Sequence, residues 1–418
     1  MKLNFKHLFL TPFQKNVATL FSATLIAQII NVLGALFLAK IYAPELYGSY
    51  SVFLSFVGIL TILNSVKLEY IIITDTSERK SINMANSIFI IILFISSIHA
   101  IFFSLFKDLF LKNGIVFTIL IFSSLASLFL SNSKVFESYS TRKSLFKIIA
   151  NSRVIMAVST ILFQFVFYYF SHNGLIYGYS LAIVMTFVFY LFYSKNIVRV
   201  PNFNLFTKTI KIHKNILRFA FPSGLINGIA LNIMPILLLS YFSASSSGIY
   251  ALSLKVVSVP LFIISSSVAQ VYFQKASHFF NNSKHKLYDF TKKIVLTNIL
   301  IMFIVLVLIN TLGVFLLELV FDKSWKDLSL YITILSFYLM GQVTFSPISS
   351  IIVITNKMHI GFVFNISLVL INLIAIYIGS LYDNITYTVL LLSIVGGLSY
   401  VVLLSYFLSL LKTYENEN

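Results

Sequence analysis

Long apolar runs separated by short polar segments cover almost the whole chain. Twelve runs are long enough to cross a bilayer as helices, since a span needs about 20 mostly apolar residues. They cover residues 17–41, 48–73, 82–106, 115–132, 151–170, 174–194, 218–241, 248–271, 292–320, 328–355, 360–381 and 386–411. The runs are continuous and lack the alternation of outer-membrane β-strands. The pattern therefore predicts an all-α integral membrane protein with about twelve transmembrane helices.

Basic residues are distributed unevenly among the segments between these runs. Of the 30 Lys and Arg residues, 24 lie in the two terminal segments, in alternate connections or at the adjoining run ends. Five lie on the other side, at Lys40, Lys107, Lys112, Lys323 and Lys326, and Lys255 alone lies inside a run. Because Lys and Arg stay on the cytoplasmic side, we expect cytoplasmic N- and C-termini. The first run is about 25 residues long and follows sixteen residues that include three Lys, so we expect a retained first helix rather than a cleaved signal peptide.

Composition excludes several classes of protein. Of 418 residues, 58% are apolar and 10% charged, and the mean hydropathy is +0.93, which excludes a soluble globular protein. The chain has no Cys, so disulfides and thiol chemistry are excluded. It contains no P-loop, His-Glu-x-x-His or Gly-x-Ser-x-Gly motif, and its seven His residues lack ligand spacing. We expect no catalytic residue, no metal, no cofactor and no nucleic-acid partner.

The two halves of the chain share a pattern at an offset of 200 residues. Gly48-Ser49-Tyr50 and Gly248-Ile249-Tyr250 follow the first and seventh runs, whose apolar residues also match in part. Each half holds six runs, so both enter from the same side. We expect two six-helix lobes related by a pseudo-two-fold axis along the membrane normal, at 1–194 and 218–418, joined by a cytoplasmic loop at 195–217.

Four prolines fall within the runs, where each removes a backbone donor and kinks its helix. They are Pro222, Pro235, Pro260 and Pro347. We interpret them as candidate hinges or cavity walls.

Several local patterns resemble the O-antigen and polysaccharide flippases (Wzx-type) of the multidrug/oligosaccharidyl-lipid/polysaccharide exporter superfamily. Residues 248–260 (GIYALSLKVVSVP) are similar to the family's G-x-Y-S-L-A-x-R-V-L-S-L-P, and residues 39–50 (AKIYAPELYGSY) to A-R-x-L-x-P-E-x-[FY]-G-x-Y. The strongest segment, 241–277, also includes residues 269–277 (AQVYFQKAS), which are similar to I-x-Q-V-F-F-x-K-A-S. Further matches occur at 67–72, 139–147, 321–326 and 345–347. The match at 67–72 (KLEYII) departs from the family's K-L-x-Y-E-x-A-I, because its acidic residue precedes the Tyr instead of following it.

This resemblance implies a function and a set of partners. The protein would move an undecaprenyl-pyrophosphate-linked oligosaccharide of O-antigen, lipopolysaccharide or capsule type across the bacterial inner membrane by alternating access. Its partners would be this polyprenyl-pyrophosphate-linked glycan, membrane lipids, and a polymerase and chain-length regulator of the same pathway. Its energy would come from an H⁺ or Na⁺ gradient or from trapping of the product outside.

An anionic polar substrate requires cations, amides and hydroxyls in a water-filled cleft. The predicted substrate-binding residues are Lys67, Lys255, Arg153, Gln28, Asn31, Asn64 and Gln342. Lys67 and Lys255 would be successive stations for the phosphates, and Arg153 would assist at entry. The alternatives are anchoring of the charged residues at the membrane surface and hydrogen bonding between helices by the amides.

Two other functions are open at this point. A drug/cation antiporter of the multidrug and toxin extrusion branch would share the two lobes, but it usually needs acidic residues in the membrane. An O-antigen polymerase would be an enzyme of similar length with a large outer loop, which this sequence lacks. The lipid II flippase branch of the superfamily typically has fourteen spans, two more than the sequence predicts.

Overall fold

The computed structural model describes residues 12–112, 117–193, 200–214, 216–283 and 285–416. These residues are almost entirely α-helical, and no β-strand occurs among them. The helices of the first part are α1 (Pro12–Ile41), α2 (Pro44–Ser65), α3 (Glu69–Thr74), α4 (Glu78–Leu105), α5 (Lys107–Lys112), α6 (Phe117–Arg142), α7 (Phe146–Tyr168), α8 (Gly174–Tyr193) and α9 (Phe203–Ile212).

The second part contains eight further helices. They are α10 (Phe221–Tyr241), α11 (Ala244–Asn282), α12 (His285–Leu308), α13 (Val314–Val320), α14 (Leu328–Phe345), α15 (Ile351–Ile354), α16 (Met358–Leu381) and α17 (Ile385–Asn416). Across the described ranges, twelve helical segments are long and apolar enough to span a membrane. The prediction of an all-α membrane protein with twelve spans is confirmed.

The chain forms two compact units. One comprises Met1–Leu38 and Phe56–Leu225, and the other comprises Ala39–Ser55 and Ile226–Asn418. The core of the first contains buried residues of α3, α4, α6 and α8, such as Ile72, Ile88 and Phe136. That of the second draws on α10 to α12 and α14 to α17, with Tyr272 and Phe407 fully buried. The division into lobes at 195–217 stays a prediction, and residues 194–199 and 215 lie outside the described ranges.

The fourth span is longer than the sequence pattern predicts. Its apolar run ends at 132, whereas α6 continues to Arg142. The polar side chains that follow the run donate hydrogen bonds to carbonyl groups one turn back, Ser131 to Ser127, Asn132 to Leu128 and Ser133 to Phe129. These bonds run along the helix axis, so the helix continues through the polar residues. Lys134 and Glu137 therefore lie on a membrane-spanning helix.

The second span is interrupted before its predicted end at 73. Helix α2 stops at Ser65, and α3 starts at Glu69. Between them Val66 and Lys67 have φ values of 49° and 60°, which are costly for residues with a Cβ, by about 1–3 kcal/mol each. This turn places Lys67 at the junction of two helices.

The starts of α2 and α11, both in the second unit, approach each other at two glycines. A Cβ at Gly48 would overlap the carbonyl group of Ala244, and a Cβ at Gly248 would overlap the carbonyl oxygen of Pro44. The contact is reciprocal at an offset of 200 residues, the offset of the sequence repeat. Next to it, the Ser51 and Ser247 hydroxyls form a hydrogen bond of 2.9 Å. Small residues thus allow these two backbones to touch.

Helix α9 packs on the first unit through polar contacts at both ends. The Asn83 side chain pairs with the backbone of Asn202, donating to its carbonyl at 3.0 Å and accepting from its N–H at 2.6 Å. The His213 side chain lies 3.1 Å from the Asp75 carboxylate. Burial alone would raise the pKa of Asp75, but hydrogen bonds from Ser77 and His213 and the charge of Lys80 hold it below its ordinary value.

Candidate functional site

A cavity of about 340 Å³ with both polar and apolar walls lies among membrane-spanning helices of the first unit. Four helices supply its polar lining: Thr24, Gln28 and Asn31 of α1, Ser133, Lys134 and Glu137 of α6, Ser152 and Arg153 of α7, and Thr186 and Tyr190 of α8. Its apolar lining includes Ala27 and Met156. Ionisable residues within spans usually mark functional sites, because each is costly to place there.

Arg153 joins three of these helices. Its guanidinium donates one hydrogen bond to the Thr24 hydroxyl at 2.6 Å and another to the Glu137 carboxylate at 2.9 Å. The Thr24 hydroxyl donates in turn to the carbonyl of Leu20, so it is oriented to accept. The Arg153 and Glu137 side chains are each 38% exposed, so both can be reached from the cavity.

Lys134 connects this pair to a second group of charges. Its ammonium interacts electrostatically with Glu137, Glu69 and Lys67. Glu69 is 7% exposed, and its Oε2 has no hydrogen-bond partner among the described residues. The cluster contains three cations, Lys67, Lys134 and Arg153, and two carboxylates, Glu69 and Glu137. Its formal net charge is therefore +1.

Lys67 lies at the edge of this cluster. Its Nζ is 5.4 Å from the centroid of the Tyr70 ring, a distance that permits a cation–π contact. Its Cε lies 2.7 Å from the position that a Cβ of Gly224 would occupy. The long side chain thus crosses α10 at a residue that leaves room for it.

The sequence comparisons identify the family. A model of a family described as polysaccharide biosynthesis protein matches residues 37–330. The chain belongs to this family. It is also 26% identical over 368 residues to the capsular polysaccharide biosynthesis protein CapF of Staphylococcus aureus, covering 87% of this chain and 90% of that protein. The family resemblance inferred from the sequence motifs is confirmed.

Solved structures similar to this polysaccharide biosynthesis protein show its fold. The lipid II flippase MurJ in an inward closed conformation matches with a TM-score of 0.76 and 15% identity, over 94% of this chain and 87% of that one. An inward-facing multidrug resistance MATE family transporter of the MOP superfamily matches with a TM-score of 0.64 and 14% identity, over 95% of both chains. The chain therefore has the fold of MOP superfamily transporters and is a multi-pass membrane protein.

In this family member, the predicted substrate residues fall into separate groups. Arg153, Gln28 and Asn31 line the cavity, and Lys67 interacts with Lys134 beside it. Lys255 and Gln342 lie on α11 and α14 of the second unit. Lys255 is half-buried and forms no ion pair within the described part of the chain, whereas Gln342 hydrogen-bonds the Tyr400 hydroxyl.

Asn64 belongs to a buried hydrogen-bond network. Its Oδ1 lies 2.9 Å from Nε2 of His99, and its amide donates to the Ser127 hydroxyl at 3.1 Å. Nδ1 of His99 lies 3.0 Å from the Ser124 hydroxyl. These contacts join α2, α4 and α6, which is the interhelical role that polar residues often have in membranes.

The four prolines occupy different helical environments. Pro222 is the second residue of α10 and follows a π-helical turn at Ile216–Ala220. Pro235 and Pro260 lie inside α10 and α11, and Pro347 lies in the 3₁₀ turn after α14. The Ser247 hydroxyl donates to the carbonyl of Pro235 at 2.9 Å. A hinge function for these residues stays a prediction.

The sequence pattern did not identify Lys134 and Glu137 as site residues. Both lie beyond 132, where the predicted fourth span ends, and therefore fall in a predicted connection between spans. Their spacing of three residues places them on one face of a helix. This spacing, together with the apolar Val135 and Phe136 between the two residues, is the feature of the sequence from which a continued helix could have been predicted.

Proposed function

We propose that this protein is a flippase that moves an undecaprenyl-pyrophosphate-linked oligosaccharide, of O-antigen or capsule type, from the cytoplasmic to the outer leaflet by alternating access. It acts in the bacterial inner membrane, with both termini cytoplasmic. The family and the MOP fold support transport in polysaccharide biosynthesis, and the chemistry of the cavity supports an anionic substrate.

The observation that carries the proposal is the position of Arg153 and Lys134 in a polar cavity among spanning helices. A cation at the centre of a span costs about 2.5–3.5 kcal/mol on insertion scales. An anionic ligand offsets this cost, since charge-assisted hydrogen bonds to phosphate are strong. A volume of about 340 Å³ suits a diphosphate with part of its first sugar, and the amides of Gln28 and Asn31 suit sugar hydroxyls.

The net charge of the cluster favours this function over drug/cation antiport. Lys67, Lys134 and Arg153 outnumber Glu69 and Glu137, so the cluster repels a cationic substrate. A polymerase would need a large outer loop, and the longest connection between spans on the predicted outer side is 106–116. These features support a transporter rather than an enzyme.

The proposed path uses further residues predicted from the sequence. Lys67 would receive the phosphates at the cytoplasmic end of the first unit, and Lys255 would be a later station in the second. Single ammonium groups suit this task, because a transporter must release what it binds. Bending at Pro222, Pro235, Pro260 and Pro347 would accompany the switch. An H⁺ or Na⁺ gradient or trapping of the product outside would drive it. A polymerase and chain-length regulator would act on the exported glycan.

Alanine substitution of the two cavity cations tests the proposal. In a strain lacking the gene, Arg153→Ala and Lys134→Ala should each reduce surface glycan about tenfold or more at normal membrane abundance, because each removes charge-assisted contacts worth about 1.5–3 kcal/mol. Lys208→Ala, which removes an exposed cation of α9, is the matched control and should restore export. Full export by both cavity variants would refute an anion-binding role for the cavity.

A further inference from the structure

Two of the five N–H groups of the Arg153 guanidinium donate to groups of the protein. One nitrogen donates to Thr24 and another to Glu137, so part of the cation is engaged before a ligand arrives. A phosphate that approaches the Glu137 side of the guanidinium competes with Glu137 for the donor there. Carboxylate and phosphate oxygens are equivalent acceptors for a guanidinium, so the two anions exclude each other in part.

Glu137 also interacts with the second cation of the cavity. Lys134 is three residues away on α6, and its charge interacts with that of Glu137. The Tyr190 hydroxyl, which interacts electrostatically with Glu137, is hydrogen-bonded to Ser152 at 2.7 Å. The Glu137 carboxylate thus pairs directly with Arg153 and interacts at longer range with Lys134, on which Glu69 also acts. In a site built only for tight anion binding, this carboxylate would be a disadvantage.

Exposure distinguishes Glu137 from the other carboxylate of the cluster. Glu137 is 38% exposed and lines the cavity, so its side chain has room to turn away from Arg153. Glu69 is 7% exposed and does not line the cavity. Glu137 is thus the carboxylate that can exchange places with an incoming anion.

We propose that Glu137 is an internal competitor for the anionic head group of the substrate. This inference rests on the proposed function and concerns the regulation of the same cavity. When the cavity is empty, Glu137 holds Arg153 and partly neutralises Lys134. A diphosphate displaces it on binding, and Glu137 recovers both cations when the diphosphate leaves. The competition lowers affinity and assists release, which a transporter needs as much as binding.

A purely structural role for the Arg153–Glu137 pair predicts something different. If the pair serves only to join α6 and α7, its removal lowers stability and leaves anion affinity unchanged or weaker. If Glu137 competes with the ligand, its removal increases anion affinity. Glu137→Gln separates these outcomes, because it keeps the shape of the side chain and one oxygen that can accept from Arg153 while removing the charge.

The experiment measures binding to the purified full-length protein in nanodiscs. The probes are inorganic pyrophosphate, which represents the head group, and farnesyl diphosphate, with uncharged farnesol for comparison. Glu137→Gln should bind both anions about three- to tenfold more tightly than the wild type, the range expected for losing a partly exposed competing charge. Glu78→Gln removes an exposed carboxylate that pairs with Lys143 and should leave affinity unchanged.

A double-mutant cycle tests whether the effect acts through Arg153. In the Arg153→Ala background, Glu137→Gln should increase anion affinity much less, because the guanidinium donors for which Glu137 and the anion compete are absent. Glu137→Asp has a carboxylate on a shorter side chain and should give an intermediate increase in anion affinity. It replaces Glu137→Gln in the experiment if the Gln variant does not fold. Tighter binding should slow release, so Glu137→Gln should also reduce export in cells.

Two failures are distinguishable. If the wild type binds the diphosphates no better than farnesol, the proposed function fails. If the wild type binds them but neither the Gln nor the Asp variant binds more tightly, Glu137 is not a competitor and the pair is structural.

Discussion

Polar side chains within the spans fall into two groups according to their hydrogen-bond partners. Many bond only to a carbonyl one turn back on their own helix, as Asn232 does to Gly228. A smaller group reaches other helices, and it includes Arg153 and Asn64. From the sequence alone these groups look identical, because residue type and position along the span are the same in both. Contacts between helices separate them.

The Asn64 network provides a test at this scale. Asn64→Ala removes the partners of His99 and Ser127 at a fully buried position. We expect it to lower the free energy of unfolding by about 1–3 kcal/mol, because buried polar groups lose their partners. Asn232→Ala is the control and should change it little. Thermal unfolding of the purified variants measures this difference. A stable Asn64→Ala variant that fails to export glycan would instead support the predicted substrate role.

At the scale of elements, the sequence predicted where helices occur better than where they end. Apolar runs located all twelve spans, since hydropathy reports directly on transfer into lipid. They did not locate the end of α6, where Ser131, Asn132 and Ser133 bond within the helix. They also missed the break at Val66 and Lys67, where positive φ values occur at residues that rarely adopt them. Both errors concerned the candidate site. Lys134 and Glu137 lie on the part of α6 that was not predicted, and Lys67 lies at the break between α2 and α3.

The contact between α2 and α11 makes a prediction about these elements. Gly48→Ala and Gly248→Ala each place a methyl group into the backbone of the facing helix. Backbone cannot yield as a flexible side chain can, so each variant should be destabilised by about 1–3 kcal/mol. Gly313→Ala is the control, since its new methyl would meet its nearest neighbour at 3.7 Å, and helix propensity favours alanine by about 1 kcal/mol.

Thermal unfolding in the same detergent compares the three variants. The expected order of melting temperature is Gly313→Ala at or above the wild type, with both Gly48→Ala and Gly248→Ala below it. Equal melting temperatures for all three would mean that α2 and α11 separate at no cost, contrary to the close contact described here.

At the scale of the whole molecule, composition and charge determined most of what was predicted. A chain with 58% apolar residues cannot remain in water, and its large exposed side chains, such as Phe94 and Leu319, suit contact with lipid. The assembly of helices was not predictable in the same way. Lipid is as apolar as the helix surfaces, so packing depends on small residues and polar contacts rather than on apolar stripes. The pairing of Arg153 with Thr24 and Glu137 is one such contact.

The orientation of the molecule in the membrane yields the last prediction. The predicted spans place 24 of the 30 basic residues on the side of the N-terminus or at the adjoining run ends, and the positive-inside rule assigns that side to the cytoplasm. Because the chain has no native Cys, single cysteines report their location without background. Lys211→Cys and Lys323→Cys both replace exposed residues, on α9 and in the turn before α14. A membrane-impermeant maleimide applied to intact cells should label Lys323→Cys and leave Lys211→Cys unlabelled, whereas both should react after the membrane is permeabilised. The reverse pattern in intact cells would place the termini outside, and the proposed direction of transport through the cavity would then have to be reversed.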